Sequence, residues 1–381
     1  MLKHVKISMM KPFRLHHVLK ILEGYSMQAL PIDLFLRNYL KKTTSIGSKD
    51  RSEICEVIYN LIRWRGLVDF NCSKPITWGK RVHALQSLNY KPSSECPNHI
   101  KVSFTKFLFD KLVSFLGIED AMEFCKNSNT QAPLTIRVNP TKISRKNLYT
   151  ILSKNFKVKL CQFSKLGITF EERINFSSLQ EFKNGLFEVQ DEGSQLIAAS
   201  LDIKPGEHVL DMCAGAGGKS LAFAYKTQQK GQIYLHDVRP IALLQARKRF
   251  KKAGIQNYQT LDPKKLNTKR FKNRMDWILI DVPCSGSGTL RRNPDLKWKI
   301  NQKMIEELVA KQEQILASSL NFIAPRGKIV YATCSVLPEE NIQQVERFGR
   351  KFGFKLLKDP YQSFPTCGQM DGFFFAVMAK K

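Results

Sequence analysis

Two stretches constrain the fold more than any others: Ile278-Leu279-Ile280-Asp281-Val282-Pro283-Cys284-Ser285-Gly286 and Val330-Tyr331-Ala332-Thr333-Cys334-Ser335. Each is a run of apolar residues, many of them β-branched or aromatic, that stops abruptly at a polar group and a cysteine. A run bounded by Gly and Pro and apolar at every position suits a strand covered on both faces, the situation of a parallel strand in an α/β sheet. Each cysteine is therefore expected just past the C-terminal end of a central parallel strand. That edge is where open α/β sheets bind ligands. The two thiols are expected to face one cleft.

The surrounding pattern agrees. Beyond Leu201, strand signals at 208–212, 232–236, 258–261, 277–280 and 328–332 alternate with helical ones at 219–227, 241–253, 304–322 and 339–352. Such alternation implies right-handed crossovers and a parallel sheet. Gly372 to Met378 reads as a last buried strand. Upstream, Leu134 to Pro140 is the first convincing strand. A helix over 147–155 and strands at 158–160 and 167–170 complete a small α+β unit of RRM or ferredoxin-like character. No aromatic RNP pattern supports base stacking there, so a structural adaptor is the reading. Before it the signal is helical, with Leu15, Val18, Leu19 and Leu22, then Ile54, Val57, Ile58, Leu61 and Ile62, at 3.6-residue spacing. The basic and aromatic Arg63, Trp64 and Arg65 leave that front domain open to RNA binding or to bracing its neighbour. The expected organisation is an all-helical domain over 1–127, the α+β subdomain over 128–200 and an α/β domain over 201–381.

Charge narrows the partner. Lys and Arg number 61 against 33 Asp and Glu, a net charge of +28. A polyanion is the simplest explanation, because every phosphate neutralised releases counterions and adds affinity. Twelve basic residues against the lone acidic Asp262 fall between Arg239 and Arg274 and are expected to set affinity and salt dependence. Arg291 and Arg292 are expected nearer the chemistry, positioning a substrate strand. Nine cysteines without CxxC pairs exclude a disulfide frame and a zinc site, and suit reduced cytosolic thiols. No metal is expected. The basic start is followed by no apolar segment long enough for a signal peptide or membrane span, although Lys11, Arg14 and Lys20 fit an amphipathic helix. A monomeric, cytoplasmic protein is expected.

Between strand and helix lies Asp211-Met212-Cys213-Ala214-Gly215-Ala216-Gly217-Gly218-Lys219. Glycines there let the backbone approach a ligand closely, and the following helix offers free N–H groups. No GxxxxGK[ST] loop is present, which disfavours a nucleoside triphosphate. Asp237 ends the next strand, where it can accept from both ribose hydroxyls. Asp262 ends the third, within reach of an adenine amine, and Asp281 the fourth. Acidic strand ends after a glycine loop suit an adenosyl ligand with a cationic sulfonium, so S-adenosyl-L-methionine is the expected cofactor. Cys213, Ala214, Gly215, Ala216, Gly217, Gly218, Lys219, Asp237, Asp262 and Asp281 are the candidate cofactor residues. Cys213 reads as a packing residue within that loop.

These segments, with Arg291-Arg292-Asn293-Pro294-Asp295, Lys297-Trp298 and Val336-Leu337-Pro338-Glu339-Glu340-Asn341, resemble the RsmB (Sun/Fmu) family of RNA cytosine-C5 methyltransferases. The Arg51 to Asp69 stretch is similar to that family's NusB-like front domain. The resemblance implies a Rossmann-like class I methyltransferase domain with a mostly parallel sheet. It also implies 5-methylcytosine formation in RNA, with small-subunit ribosomal RNA as the first substrate and tRNA as the alternative. A NusB-like assembly factor that has lost activity is the competing class. One departure is visible: Gly215 and Ala216 stand where the family usually has Ala-Pro, which predicts a looser loop.

The chemistry explains why two thiols matter. Cytosine C5 is a poor nucleophile inside an aromatic ring. A thiolate adding to C6 breaks that aromaticity and lets C5 attack a sulfonium methyl. Hydrogen bonding at N3 favours the addition, and Asp281 is the candidate for it. From the residues alone either Cys284 or Cys334 could attack. The resemblance implies Cys334 as nucleophile, Cys284 in product release, and Lys219 near the substrate base.

Overall fold

The computed structural model describes residues 10–26, 30–88, 92–261 and 268–381. They form two compact units, one of Met1–Gln131 with Thr289–Asn301 and one of Ala132–Gly288 with Gln302–Lys381.

Among the described residues, the first unit consists of α1 (Pro12–Ser26), α2 (Ile32–Lys42), α3 (Ser48–Phe70), α4 (Trp78–Gln86), α5 (Asn98–Lys101), α6 (Lys106–Leu116) and α7 (Ile118–Ser128). Val18, Ile21 and Leu22 of α1 share a core with Ile54, Ile58 and Leu61 of α3, and Leu15 and Leu19 lie at its margin. Arg14, expected on an amphipathic basic face, is instead tied down. It donates to Asp50 at 2.6 Å and to Glu53, both in the first turns of α3.

Residues 289–301 belong to this unit, although the strand–helix alternation places them in the C-terminal domain. The reason is a kink. α3 leaves helical geometry at Trp64 (φ −107°, ψ 15°). The Trp298 indole donates to the Ile62 carbonyl at 2.8 Å, and the Lys297 amine to the Arg63 carbonyl at 2.6 Å. A side chain inserted into the helical ladder is an established cause of such a bend. Lys297 is 1% exposed, donates also to Asn129 Oδ1 at 2.7 Å and lies 4.6 Å from the Phe104 ring centroid. Burial pushes its amine well below the usual lysine range. Asp295 is enclosed as well, accepting from the Tyr25 hydroxyl at 2.9 Å. The expectation that Arg291 holds a substrate strand is corrected here. It folds with the helices, is 2% exposed, and its carbonyl accepts from Arg63 at 3.0 Å. A run rich in charge reads as surface, but buried acceptors satisfy it here.

The second unit holds two sheets. The smaller contains β1 (Leu134–Val138), β2 (Val158–Leu160), β3 (Gly167–Phe170) and β4 (Phe187–Val189) in the order β2-β3-β1-β4, every pair antiparallel. It carries α8 (Arg145–Ser153), and α9 (Gln180–Lys183) leads into β4. β4 has no sequence signal, since three residues with a central Glu188 are too short to show alternation. A further helix, α10 (Glu192–Ala199), follows.

The larger sheet is built from β5 (His208–Asp211), β6 (Gln232–Leu235), β7 (Tyr258–Thr260), β8 (Met275–Asp281), β9 (Ile323–Thr333), β10 (Phe354–Leu356), β11 (Tyr361–Gln362) and β12 (Phe374–Lys380). Its order is β10-β12-β9-β8-β5-β6-β7, with β11 paired to β12. β5 to β9 pair in parallel, and β12 runs antiparallel to β9. Between the strands lie α11 (Gly218–Phe223), α12 (Pro240–Ala253), α13 (Thr268–Phe271), α14 (Gln302–Ser319) and α15 (Ile342–Phe352). Successive side chains of a strand point to opposite faces. Trp277, Leu279, Val330 and Ala332 accordingly enter one core, and Ile278, Ile280, Ile329 and Tyr331 the other. Two covered faces account for the unbroken apolar runs and bring both cysteines to the carboxyl edge of adjacent strands.

Candidate active site

The glycine loop joins β5 to α11. Ala214 N–H donates to the His236 carbonyl and Gly215 N–H to Asp237 Oδ2, each at 2.8 Å. Gly217 has φ +75°, and a Cβ on it would lie 2.9 Å from the Phe250 ring, so only glycine fits. Asp211 is buried beneath the loop. It accepts from Ser220 Oγ at 2.5 Å and Cys213 N–H at 3.3 Å, and burial pushes its carboxyl up to about 7. Asp237 also accepts from Arg239 N–H at 2.9 Å and Arg239 Nε at 3.0 Å. Burial opposes its charge, yet these donors outweigh it and hold the carboxyl below its usual range. Cys213 packs against the core beside β5, and burial pushes its thiol up, as befits a packing residue. Asp262, expected at the adenine, lies outside the described residues.

At the carboxyl edge of β8 and β9, Asp281 stands opposite Ala332. Lys219, in the first turn of α11, forms an ion pair with Asp281. Burial works against the ammonium, but the carboxylate more than compensates and raises the lysine above its usual value. Cys284 Sγ and Cys334 Sγ are 3.3 Å apart, both half-buried and both free thiols. The pair is electrostatically asymmetric. A hydrogen bond from Cys284 lowers the Cys334 thiol, with help from the Lys219 charge against burial and Asp281. Cys284, as the donor, is driven well above the ordinary thiol range, and burial adds to the effect. These opposed shifts make Cys334 the more acidic thiol of the pair.

A buried polar frame fixes the two cysteine loops. Glu340 is fully enclosed and accepts from Ser285 N–H at 2.8 Å, Ser285 Oγ at 2.5 Å and Gln312 Nε2 at 3.0 Å. Tyr331, in β9, donates to the Glu340 carbonyl at 2.6 Å. Ser287 Oγ and Ser335 Oγ meet at 2.9 Å, joining the loop after β8 to the loop after β9. Gly288 N–H donates to the Cys334 carbonyl at 2.9 Å, and a Cβ there would lie 2.1 Å from the Gly372 carbonyl oxygen. No local sequence signal marks Glu340 for this role, because its donors lie 55 and 28 positions away. Glu340→Ala strips three hydrogen bonds from a carboxylate and leaves buried donors unpaired. It should cost about 2–4 kcal/mol of stability. Denaturant unfolding checks this, and an unchanged midpoint would contradict the framing role.

The basic stretch divides. Arg249 and Lys252 turn inward to Glu188 of the small sheet at 3.0 and 3.4 Å. Lys248, Lys251, Lys269, Arg270, Lys272 and Arg274 are exposed. Lys264 and Lys265 lie outside the described residues. Among the described residues no cluster of three or more His, Cys, Asp or Glu is placed to hold a metal ion, and no helix is long and apolar enough to cross a membrane.

Comparison with known proteins agrees with this geometry. Residues 198–379 match the model of a family described as 16S rRNA methyltransferase RsmB/F, and residues 104–177 a ferredoxin-like domain described as RsmF/B-like. The ribosomal RNA small subunit methyltransferase B of Pasteurella multocida (strain Pm70) is 32% identical over 278 residues, covering 68% of this chain and 61% of that protein. The crystal structure of a methyltransferase homolog protein from Pyrococcus horikoshii is 28% identical, with TM-score 0.66, over 74% of this chain and 98% of that one. The crystal structure of PH0851 shares the fold, with TM-score 0.82 and 22% identity, over 98% of this chain and all of that one. Sheet order, glycine loop and acidic strand ends define a Rossmann-like class I methyltransferase. The chain belongs to the RsmB/F methyltransferase family. It spans 56% to 61% of the length of the first curated relatives it matches.

Proposed function

We propose that this protein is an S-adenosylmethionine-dependent RNA cytosine-C5 methyltransferase acting on small-subunit ribosomal RNA. The observation that carries the reading is the thiol pair, 3.3 Å apart, at the edge where Lys219 meets Asp281. The cofactor, a methyl donor, would be held by the loop over 213–219 and by the Asp237 carboxylate, which Gly215 N–H and Arg239 already hold in place at the end of β6.

In this reading the Cys334 thiolate adds to C6 of a cytosine swung out of its stack. Unstacking costs a few kcal/mol and least for unpaired nucleotides, so a single-stranded or loop target is favoured. Lys219 and Asp281 offer a donor and an acceptor to the N3 and amino edge of the base, which drains charge from the ring as sulfur adds. C5 then takes the methyl group from the sulfonium as the methyl–sulfur bond breaks and a neutral thioether leaves. After a base removes the C5 proton, elimination breaks the C6–sulfur bond, and Cys284, the protonated member of the pair, assists that release. Exposed lysines and arginines of α12 and α13 supply phosphate contacts. The names of the curated relatives favour ribosomal RNA over tRNA.

Incubation with methyl-labelled cofactor and unmodified small-subunit RNA tests the proposal. Label recovered as 5-methylcytosine supports it. Label entering only tRNA would move the substrate, and cofactor binding without transfer would favour an inactive assembly factor.

A pH profile follows from the thiol pair. Because the Cys334 pKa is depressed, its thiolate is present at lower pH than for an ordinary cysteine near about 8.5. The rate should rise with pH to a midpoint below that value. Lys219→Met removes a charge that favours the thiolate, so the midpoint should move up. A rate limb unchanged in that variant would contradict the electrostatic account.

A further inference from the structure

The loop over Gly215-Ala216-Gly217-Gly218 has no stiffening residue of its own, and Gly215 and Gly217 sit at φ +54° and +75°. A flexible loop loses affinity to the entropy of ordering when it binds. Two guanidinium groups outside the loop take away that freedom. Arg249 of α12 donates Nη1 to the Ala216 carbonyl at 2.8 Å. Arg137 of β1 donates Nη1 to the Gly218 carbonyl at 2.9 Å. With both carbonyls pinned, the Ala216–Gly217 and Gly218–Lys219 peptide planes are fixed, one on each side of the Gly217-Gly218 pair.

The small sheet supplies the rest of the clamp. Arg137 is 4% exposed and also donates to Gln190 Oε1 at 2.5 Å, while Gln190 Nε2 reaches the Gly218 carbonyl at 3.3 Å. Glu188 pairs with Arg137 in the register of β1 and β4, and its Oε2 accepts from Arg249 at 3.0 Å. Enclosing a guanidinium is expensive, and burial pushes Arg137 down to about 9. A position serving only to pack the sheet is better filled by an apolar side chain. Docking of the sheet onto α12 has separate contacts: Asn139 Nδ2 bonds the Gly185 and Ala253 carbonyls, each at 3.1 Å.

We infer that Arg137 and Arg249 are positioning residues of the cofactor site, and that the small sheet, through Arg137, Glu188 and Gln190, sets the affinity of the glycine loop for S-adenosylmethionine. The inference rests on the methyltransferase reading above. It assigns the α+β subdomain a part in cofactor binding rather than a passive adaptor role.

Calorimetric titration of the full chain with S-adenosylmethionine tests it. Arg249→Gln, at a half-buried position that leaves the core intact, should raise the Kd and the KM for cofactor about tenfold, the effect of losing one charge-assisted hydrogen bond. Its kcat at saturating cofactor should be unchanged. Arg137→Lys keeps a charge that can reach only part of the clamp and should raise the Kd by a smaller factor. Asn139→Ala loosens the docking without touching the loop and should leave the Kd as it was. Wild-type affinity in a folded Arg249→Gln protein would overturn the inference, as would equal weakening in Asn139→Ala. Failure of the wild type to bind S-adenosylmethionine would sink the methyltransferase reading and this inference together.

Discussion

Cys334→Ala should lower methyl transfer by at least about 10⁴-fold, the scale on which loss of an attacking side chain lowers turnover in other enzymes. The cause is specific to the pair at the carboxyl edge. Cys334 has the Cys284 sulfur 3.3 Å away and the favourable Lys219 charge beside it, so its removal takes away the more acidic thiol of the pair. Cys284 cannot substitute, because burial and its donor role hold its proton. Cofactor affinity should be nearly unaffected, since the loop over 213–218 contacts neither sulfur through the hydrogen bonds described above. Initial-rate assays with labelled cofactor check the loss. Residual activity of a tenth or more would mean that sulfur addition at Cys334 is not required.

Cys284→Ala has a different expected outcome. Addition and methylation should proceed, slowed by loss of the hydrogen bond that lowers the Cys334 thiol, while release of the methylated base stalls. A covalent protein–RNA complex should therefore accumulate on natural RNA, visible as a denaturation-resistant shifted band, with multiple turnovers falling by about 10²-fold or more, the range of general acid–base assistance. Free turnover in this variant, with no accumulated complex, would remove Cys284 from the release step.

The parts of this molecule that were legible in its sequence are those where a local pattern and the tertiary environment demand the same thing. β8 and β9 are covered on both faces, so they are apolar at every position over 277–280 and 329–332, and the thiols beyond their ends mark the edge. The glycine loop is legible because close packing of Gly217 against Phe250 leaves no alternative residue. Other parts are long-range. That Lys219 turns to Asp281, 62 positions away, depends on the parallel pairing of β5 with β8, which brings the start of α11 beside the end of β8. Arg249 and Lys252 look like the other cations of α12, and only the arrival of Glu188 on β4 turns them inward. Thr289 to Asn301 is the clearest failure: its arginines suggested a place beside the chemistry, but the stretch folds with the helices, where the kink in α3 leaves two carbonyls that Lys297 and Trp298 fill. Glu340 was unreadable for the same reason, since its donors come from the loop after β8 and from α14.

The proposed chemistry stands on a sulfur–carbon bond that forms at one residue. RNA carrying 5-fluorocytosine at the target position blocks the final proton loss and should trap that bond in the wild-type protein in the presence of S-adenosylmethionine. Peptide mapping of the trapped complex by mass spectrometry is the most direct measurement. The account predicts a methylated fluoropyrimidine nucleotide attached to Cys334; attachment at Cys284, or methylation of natural RNA with no trapped adduct at either sulfur, would contradict it.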